Sequence, residues 1–180
     1  PEYAEAHCNL GIMFKNMGRL DDSEASYRRA IASRPKYAEA HCNLGVTLQD
    51  LGRHDEAEAS YKKSLELKAD YAEAHWNLGV LLQELGKFSE AEASYSLTLA
   101  LNPQHAEAHR MVSTVKTFHA KDDQFLQMLG LYRDQNLSAE DRCSLCFALA
   151  KASEDIGDFA AAFSYYSEGN GLRKEQLKYD

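Results

Sequence analysis

The sequence predicts an all-α solenoid of stacked helical repeats, and three observations carry that prediction. The octapeptide AEAHCNLG at residues 4–11 returns unchanged at 38–45, returns as AEAHWNLG at 72–79, and decays to AEAHRMVS at 106–113. The interval is 34 residues each time, a period that marks stacked structural repeats. Within the first copy, His7, Leu10, Gly11 and Phe14 recur at i, i+3, i+4 and i+7, the stripe of an amphipathic helix.

Each repeat reads as two helices. A glycine (Gly18, Gly52, Gly86) closes the first helix where the chain needs a left-handed residue. Asp21, Asp55 and Ser89 follow as expected N-caps of the second helix. That helix carries SEASY or AEASY, ending in Tyr27, Tyr61 and Tyr95, and Pro35 and Pro103 stop it in the first and third units. The units therefore span 4–37, 38–71 and 72–105. Pro1-Glu2-Tyr3 matches Pro35-Lys36-Tyr37, so residues 1–3 are expected to end an earlier repeat. Residues 106–140 form a degenerate pair. AEAHRMVSTVKTFH is expected as one helix, and DDQFLQMLGLYRDQ as another with Phe125, Leu126, Leu129 and Tyr132 inward. Ser138 is expected to cap a helix holding Cys143, Cys146, Leu149 and Ala150; Gly157 ends it, and residues 141–170 complete a last pair. Residues 171–180 are expected to lead into a further domain.

Composition narrows the function classes. The 180 residues are 44% apolar and carry a formal charge of −8, from 20 basic and 28 acidic side chains. That balance argues against nucleic acid or an anionic membrane as the main partner, since both call for clustered cations. No apolar run approaches a membrane span, and no basic stretch followed by an apolar one opens the given sequence. Four cysteines are too few for a disulfide scaffold of this size, so a reducing, cytoplasmic location is expected.

The repeat resembles the tetratricopeptide family, whose pattern runs Trp-x₂-Leu-Gly-x₂-Tyr, then Ala-x₃-Phe, then Pro. Here the pattern reads His7-x₂-Leu10-Gly11-x₂-Phe14, His41-x₂-Leu44-Gly45-x₂-Leu48 and His75-x₂-Leu78-Gly79-x₂-Leu82, with Ala57/Tyr61 and Ala91/Tyr95 as the second step. Departures are His for Trp throughout, Ser23 for Ala, and Ala69 for Pro. The resemblance implies a right-handed superhelix whose first helices line a concave, protein-binding groove. The last forty or so residues, from Phe147-Ala148-Leu149-Ala150-Lys151 through Gly157-Asp158 and Gly169-Asn170 to Tyr179-Asp180, resemble the segment joining repeats to the catalytic domain in bacterial repeat–sulfotransferase fusions. That likeness implies a substrate-recruiting arm whose sulfonate-donor loop lies beyond Asp180.

No catalytic centre is expected within these residues, and no cofactor or metal. His7, His41, His75 and His109 occupy one repeat position, about 10 Å apart in stacked helices, too far to share an ion bound at about 2.1 Å. They read as packing residues at the family's Trp position. Cys143-Ser-Leu-Cys146 lies within an amphipathic helix and reads as buried apolar surface rather than a redox or zinc pair. EGNGLRK follows a helix rather than a strand and reads as a helix end, not a phosphate loop.

The asparagines differ. Asn9, Asn43 and Asn77 fall off the packing stripe, on the side that the resemblance assigns to the groove. A carboxamide offers a donor beside an acceptor and pairs with both groups of one peptide unit. A row of them resembles the peptide-holding asparagine ladder of O-linked N-acetylglucosamine transferases. The same resemblance places Cys8, Cys42, Trp76 and Arg110 at one variable groove position, with Lys15, Gln49, Gln83, Asp50 and Glu84 beside them. With Glu5, Glu39 and Glu73 added, acids outnumber bases, so a neutral or basic peptide is expected. A chaperone-type carboxylate clamp, which needs Lys and Arg, is not. The leading expectation is therefore a non-catalytic peptide-binding scaffold. The sulfotransferase arm and self-association through an uncovered end of the array stand as alternatives.

Overall fold

The computed structural model describes residues 2–177. Expectations resting on Pro1 and on the Tyr179-Asp180 match lie outside the described residues. Ten α-helices and no strand occur among those described: α1 Glu2–Asn16, α2 Leu20–Ser33, α3 Ala38–Asp50, α4 His54–Leu67, α5 Ala72–Glu84, α6 Phe88–Leu101, α7 Ala106–Val115, α8 Asp123–Tyr132, α9 Ala139–Asp155 and α10 Phe159–Leu177. The chain divides into two compact units, Pro1–Lys87 and Phe88–Asp180.

The turn inside four of the five helix pairs is one backbone motif. Gly18, Gly52, Gly86 and Gly157 have φ of 71°, 74°, 73° and 79°. The glycine N–H returns to the carbonyl three residues back, and the next N–H to the carbonyl five back. Gly18 to Lys15 is 2.9 Å and Arg19 to Phe14 is 2.9 Å; Gly157 to Glu154 is 3.0 Å and Asp158 to Ser153 is 2.9 Å. This Schellman closure satisfies the last carbonyls of one helix and lets the next begin at once. It also moves the caps. The N-cap residues of α2 and α4 are Arg19 and Arg53, with no side-chain cap bond. Asp21 and Asp55 lie one residue inside the first turn, and Ser89 lies inside α6. The acids there still face the positive end of the helix dipole. Ser138 does cap α9, accepting the Asp141 N–H at 3.0 Å.

In the first unit, packing turns on bare glycine backbone under a tyrosine ring. Tyr27 and Tyr61 are fully buried, and a Cβ added at Gly11 or Gly45 would sit 2.7 Å or 2.6 Å from ring carbons of Tyr27 or Tyr61 respectively. The departure at Ser23 is compensated locally. Its buried hydroxyl donates to the Gly11 carbonyl at 2.9 Å and lies 3.2 Å from the Thr47 hydroxyl. One repeat later the same two positions are Ala57 and Leu81, both apolar and fully buried.

The histidines are packing residues with one polar task each. Nε2 of His41, His75 and His109 meets the carbonyl six residues earlier, at Pro35 (3.0 Å), Ala69 (2.9 Å) and Pro103 (3.0 Å). Each imidazole thus ties its helix to the preceding inter-helix turn.

The second unit replaces regular repetition with a plugged core. Phe118, in the connection after α7, is fully buried with Phe125, Met128, Leu145, Ala148, Leu149 and Ala152. Its N–H donates to Asp155 Oδ2 at 3.2 Å, and Asp122, held by Lys116 at 2.6 Å, caps α8 through the Phe125 N–H. Two expectations fail here. The α7 helix stops at Val115, because Phe118 leaves helical geometry to reach the core; and Leu126 is exposed while Met128 takes the inward position. EGNGLRK is not a helix end either. It continues α10, since Gly169 is a contact glycine whose Cβ would meet Cys146 Cβ at 3.1 Å.

Gly45→Ala is expected to destabilise the chain by about 1–3 kcal/mol through overpacking against Tyr61. Gly130→Ala, on α8 with nothing within 4 Å of its added Cβ, is expected to stabilise it by about 0.5–1 kcal/mol. Thermal unfolding of both variants checks the pair, and equal shifts would remove the tyrosine–glycine account. Burial holds the His109 imidazole below its ordinary pKa, and its Nδ1 is buried without a partner. A depressed histidine contributes stability that is complete above the unfolded value of about 6.5 and is lost as pH falls below it. His109→Gln is therefore expected to flatten the pH dependence of the unfolding midpoint below about pH 6.5; an unchanged slope assigns that dependence to other groups.

Candidate peptide-binding groove

The first helices of successive pairs in the first unit expose a common side, and the local sequence decides what stands there. A cleft of about 390 Å³ opens along it. From α1 it takes Ile12, Lys15 and Asn16; from α3, Glu39, Asn43 and Val46; and from α5, Glu73 and Asn77. Tyr27 of α2 and Tyr71, just before α5, complete the lining. Asn43 and Asn77 are one repeat apart and face the same space, as do Lys15 and the two glutamates.

The remaining predicted groove residues are placed differently. Asn9 is exposed on α1 and is not among the residues lining the cleft. Trp76 and Gln83 are half-buried on α5. Gln49 is tied into a polar chain, accepting the Tyr61 hydroxyl at 2.9 Å and donating to Glu84 at 2.8 Å, while Lys15 meets Asp50 at 3.4 Å. Arg110 belongs to the second unit, where its Nε meets Glu107 at 2.9 Å beside a separate cleft of about 340 Å³ with Ser144, Phe147 and Arg173.

Cys8 and Cys42 require a correction. Expected as contact residues, they are 1% and 0% exposed. The asparagine of the next repeat covers each thiol: Asn43 Nδ2 stands 3.8 Å from Cys8 Sγ, and Asn77 Nδ2 stands 3.6 Å from Cys42 Sγ. A small apolar side chain at this position lets neighbouring first helices close up, and the long carboxamide then lies over it. Burial raises the Cys8 thiol and pushes Cys42 up to about 12, against weaker opposing bonds from Asn43 and Asn77. Cys143 and Cys146 are buried one turn apart on α9, Cys146 also pushed up to about 12 by burial.

Sequence reading missed Tyr27 and Tyr71 as lining residues. A signal was available, because Tyr-Ala-Glu recurs at 3–5, 37–39 and 71–73 immediately ahead of the octapeptide's helix. The Tyr71 hydroxyl donates to Glu73 at 3.0 Å. Burial raises the Tyr71 phenol well above its ordinary range, with the Cys42 and Glu73 charges adding to the effect.

Residues 36–104 match the family profile described as tetratricopeptide repeat, and residues 13–52 match a second described as TPR repeat. The chain belongs to the tetratricopeptide repeat family. No curated protein matches it. Among solved structures, the crystal structure of MamA is similar over 94% of this chain and 98% of its own, with TM-score 0.68 at 21% identity. The first tetratricopeptide domain of Spaghetti (RPAP3), bound to the HSP90 peptide SRMEEVD, covers 63% of this chain and 90% of its own, with TM-score 0.62 at 21% identity. The second such domain of human RPAP3, in complex with the HSP70 peptide SGPTIEEVD, covers 63% and 95%, with TM-score 0.60 at 24% identity. At these identities the likeness is one of fold, and the tetratricopeptide fold is the all-α helical-repeat architecture that the sequence predicts. These similarities do not support the sulfotransferase-linker likeness of the last forty residues, whose described part lies in α9 and α10. Among the described residues no helix is long and apolar enough to cross a membrane.

Because all four thiols are buried and raised, Ellman's reagent at about pH 8 is expected to modify native protein slowly and all four cysteines at once in denaturing guanidinium. Rapid labelling of the native chain would show that Cys8 or Cys42 is a groove residue after all.

Proposed function

We propose that this tetratricopeptide module is a non-catalytic scaffold that holds an extended, neutral-to-basic peptide segment in the cleft of its first unit. The observation that carries the reading is that Asn43 and Asn77, one repeat apart, line one cleft. Their amide donors meet only thiol sulfur, at 3.8 Å and 3.6 Å, among the hydrogen bonds of the described residues. A thiol is a weak acceptor, so a peptide carbonyl displaces little and gains a normal hydrogen bond. The amide oxygens supply the acceptors that a peptide N–H requires.

Peptide binding by structurally similar domains supports the class of ligand, but the charge here favours a different member of it. The RPAP3 domains are bound to peptides ending in EEVD. This cleft carries Glu39 and Glu73, and its one lysine is paired with Asp50. An acidic tail would meet like charge in a site with few cations to offset it. A cytoplasmic location stays part of the proposal, supported by four free thiols.

Peptides selected from a random library on the intact chain are expected to lose roughly 10-fold or more in affinity when Asn43 and Asn77 are both changed to Ala, the loss of two net hydrogen bonds. Calorimetry and thermal melting together check this. Unchanged affinity with an unchanged melting temperature ends the carboxamide reading.

A further inference from the structure

Resting on that groove reading, we infer that the cleft takes an arginine side chain of the bound segment between Glu39 and Glu73, so that the module selects segments by one basic residue. The repeat itself supplies the comparison. One glutamate stands at the same octapeptide position four times: Glu5, Glu39, Glu73 and Glu107. At both outer copies the chain provides a guanidinium. Arg34 meets Glu5 at 2.8 Å, and Arg110 Nε meets Glu107 at 2.9 Å.

At the two inner copies that guanidinium has been removed by sequence. The residue corresponding to Arg34 is Lys68 in the next repeat, and its ammonium stands 4.9 Å from the centre of the Tyr71 ring; the one after is Asn102. The residues corresponding to Arg110 are Cys42 and Trp76. Neither Glu39 nor Glu73 makes an ion pair among the described residues, and Glu73 accepts instead the Tyr71 hydroxyl. These are the two copies whose glutamates line the cleft. The other cation there, Lys15, is held by Asp50.

The rest of the lining fits the same side chain. Ile12 and Val46 offer apolar surface to a methylene stem. A guanidinium forks to two carboxylates with charge-assisted bonds. Asn43 and Asn77 lie in the same cleft to hold the flanking backbone, which fixes the arginine's register.

The test uses the whole 180-residue chain, isotope-labelled, with capped peptides of about nine Gly and Ser residues around a central Arg or citrulline, a length of chain spanning about 30 Å. Citrulline keeps shape and hydrogen bonding and removes the charge. The Arg peptide is expected to shift the backbone resonances of Glu39, Asn43, Glu73 and Asn77 and to bind roughly 5-fold or more tighter than the citrulline peptide. In the Glu39→Gln/Glu73→Gln variant the two peptides are expected to bind alike, and about 1 M salt is expected to narrow the wild-type preference. Equal binding of the two peptides to wild type overturns the arginine site and leaves the groove reading intact. An Arg preference that survives in the double Gln variant also overturns it. If neither peptide perturbs the cleft, both readings fall.

Discussion

A tyrosine ring lying on bare glycine backbone sets the distance between the two helices of the first two pairs. Tyr27 over Gly11 and Tyr61 over Gly45 leave no room for even one methyl group. Helices that approach this closely have a fixed relative rotation, because only the glycine face admits the ring. That rotation determines which residues of the first helix turn outward. Asn43, Glu39 and Val46 reach the cleft because His41, Leu44 and Gly45 on the same helix are committed to packing. Function here follows from what the packing leaves over. The last pair uses a variant of the same device, with Gly169 of α10 against Cys146 and Phe147 of α9.

Periodic features were legible from the sequence, and unique ones were not. The 34-residue interval, the turn glycines and the histidine stripe repeat, so each copy checks the others. They gave the all-α helical-repeat class. The cap residues were misread because a Schellman closure removes the usual gap between helices. With the next helix starting at Leu20 and His54, Asp21 and Asp55 fall inside it. Leu126 and Phe118 were misread for the opposite reason. They sit in a segment with one copy, where the core is filled by a residue from a connection, and no hydropathy period describes such a plug.

The cysteine error is instructive about grooves in repeat arrays. Cys8, Cys42, Trp76 and Arg110 vary at one position, and variation suggested contact with a ligand. At Cys8 and Cys42 the position is instead a buried spacer between neighbouring first helices. A small thiol fits beneath the asparagine of the next repeat. The carboxamide that was predicted to face a partner owes its placement to the thiol below it. Asn9 has no preceding described repeat to lie on, and it is exposed without being part of the cleft. The ladder is therefore built between repeats rather than within them.

Charge follows the same division between the two helices of a pair. Along the second helices and the turns that precede them, several acids and bases are matched. Arg53 meets Glu24 at 2.7 Å, Lys87 meets Glu58 at 2.8 Å, and Arg28 and Lys62 pair within their own helices at 2.8 Å and 2.6 Å. Exposed pairs of this kind contribute little stability, about 0–1 kcal/mol each, so their larger effect is on the field. They occupy Arg28, Arg53, Lys62 and Lys87 on that side. On the first-helix side, Glu39 and Glu73 make no ion pair among the described residues of a chain whose formal charge is −8. A cleft with apolar walls focuses their potential. The inner copies carry Cys42, Trp76, Lys68 and Asn102 where the outer copies carry Arg, and a cationic side chain from a bound segment would complement the two glutamates left there.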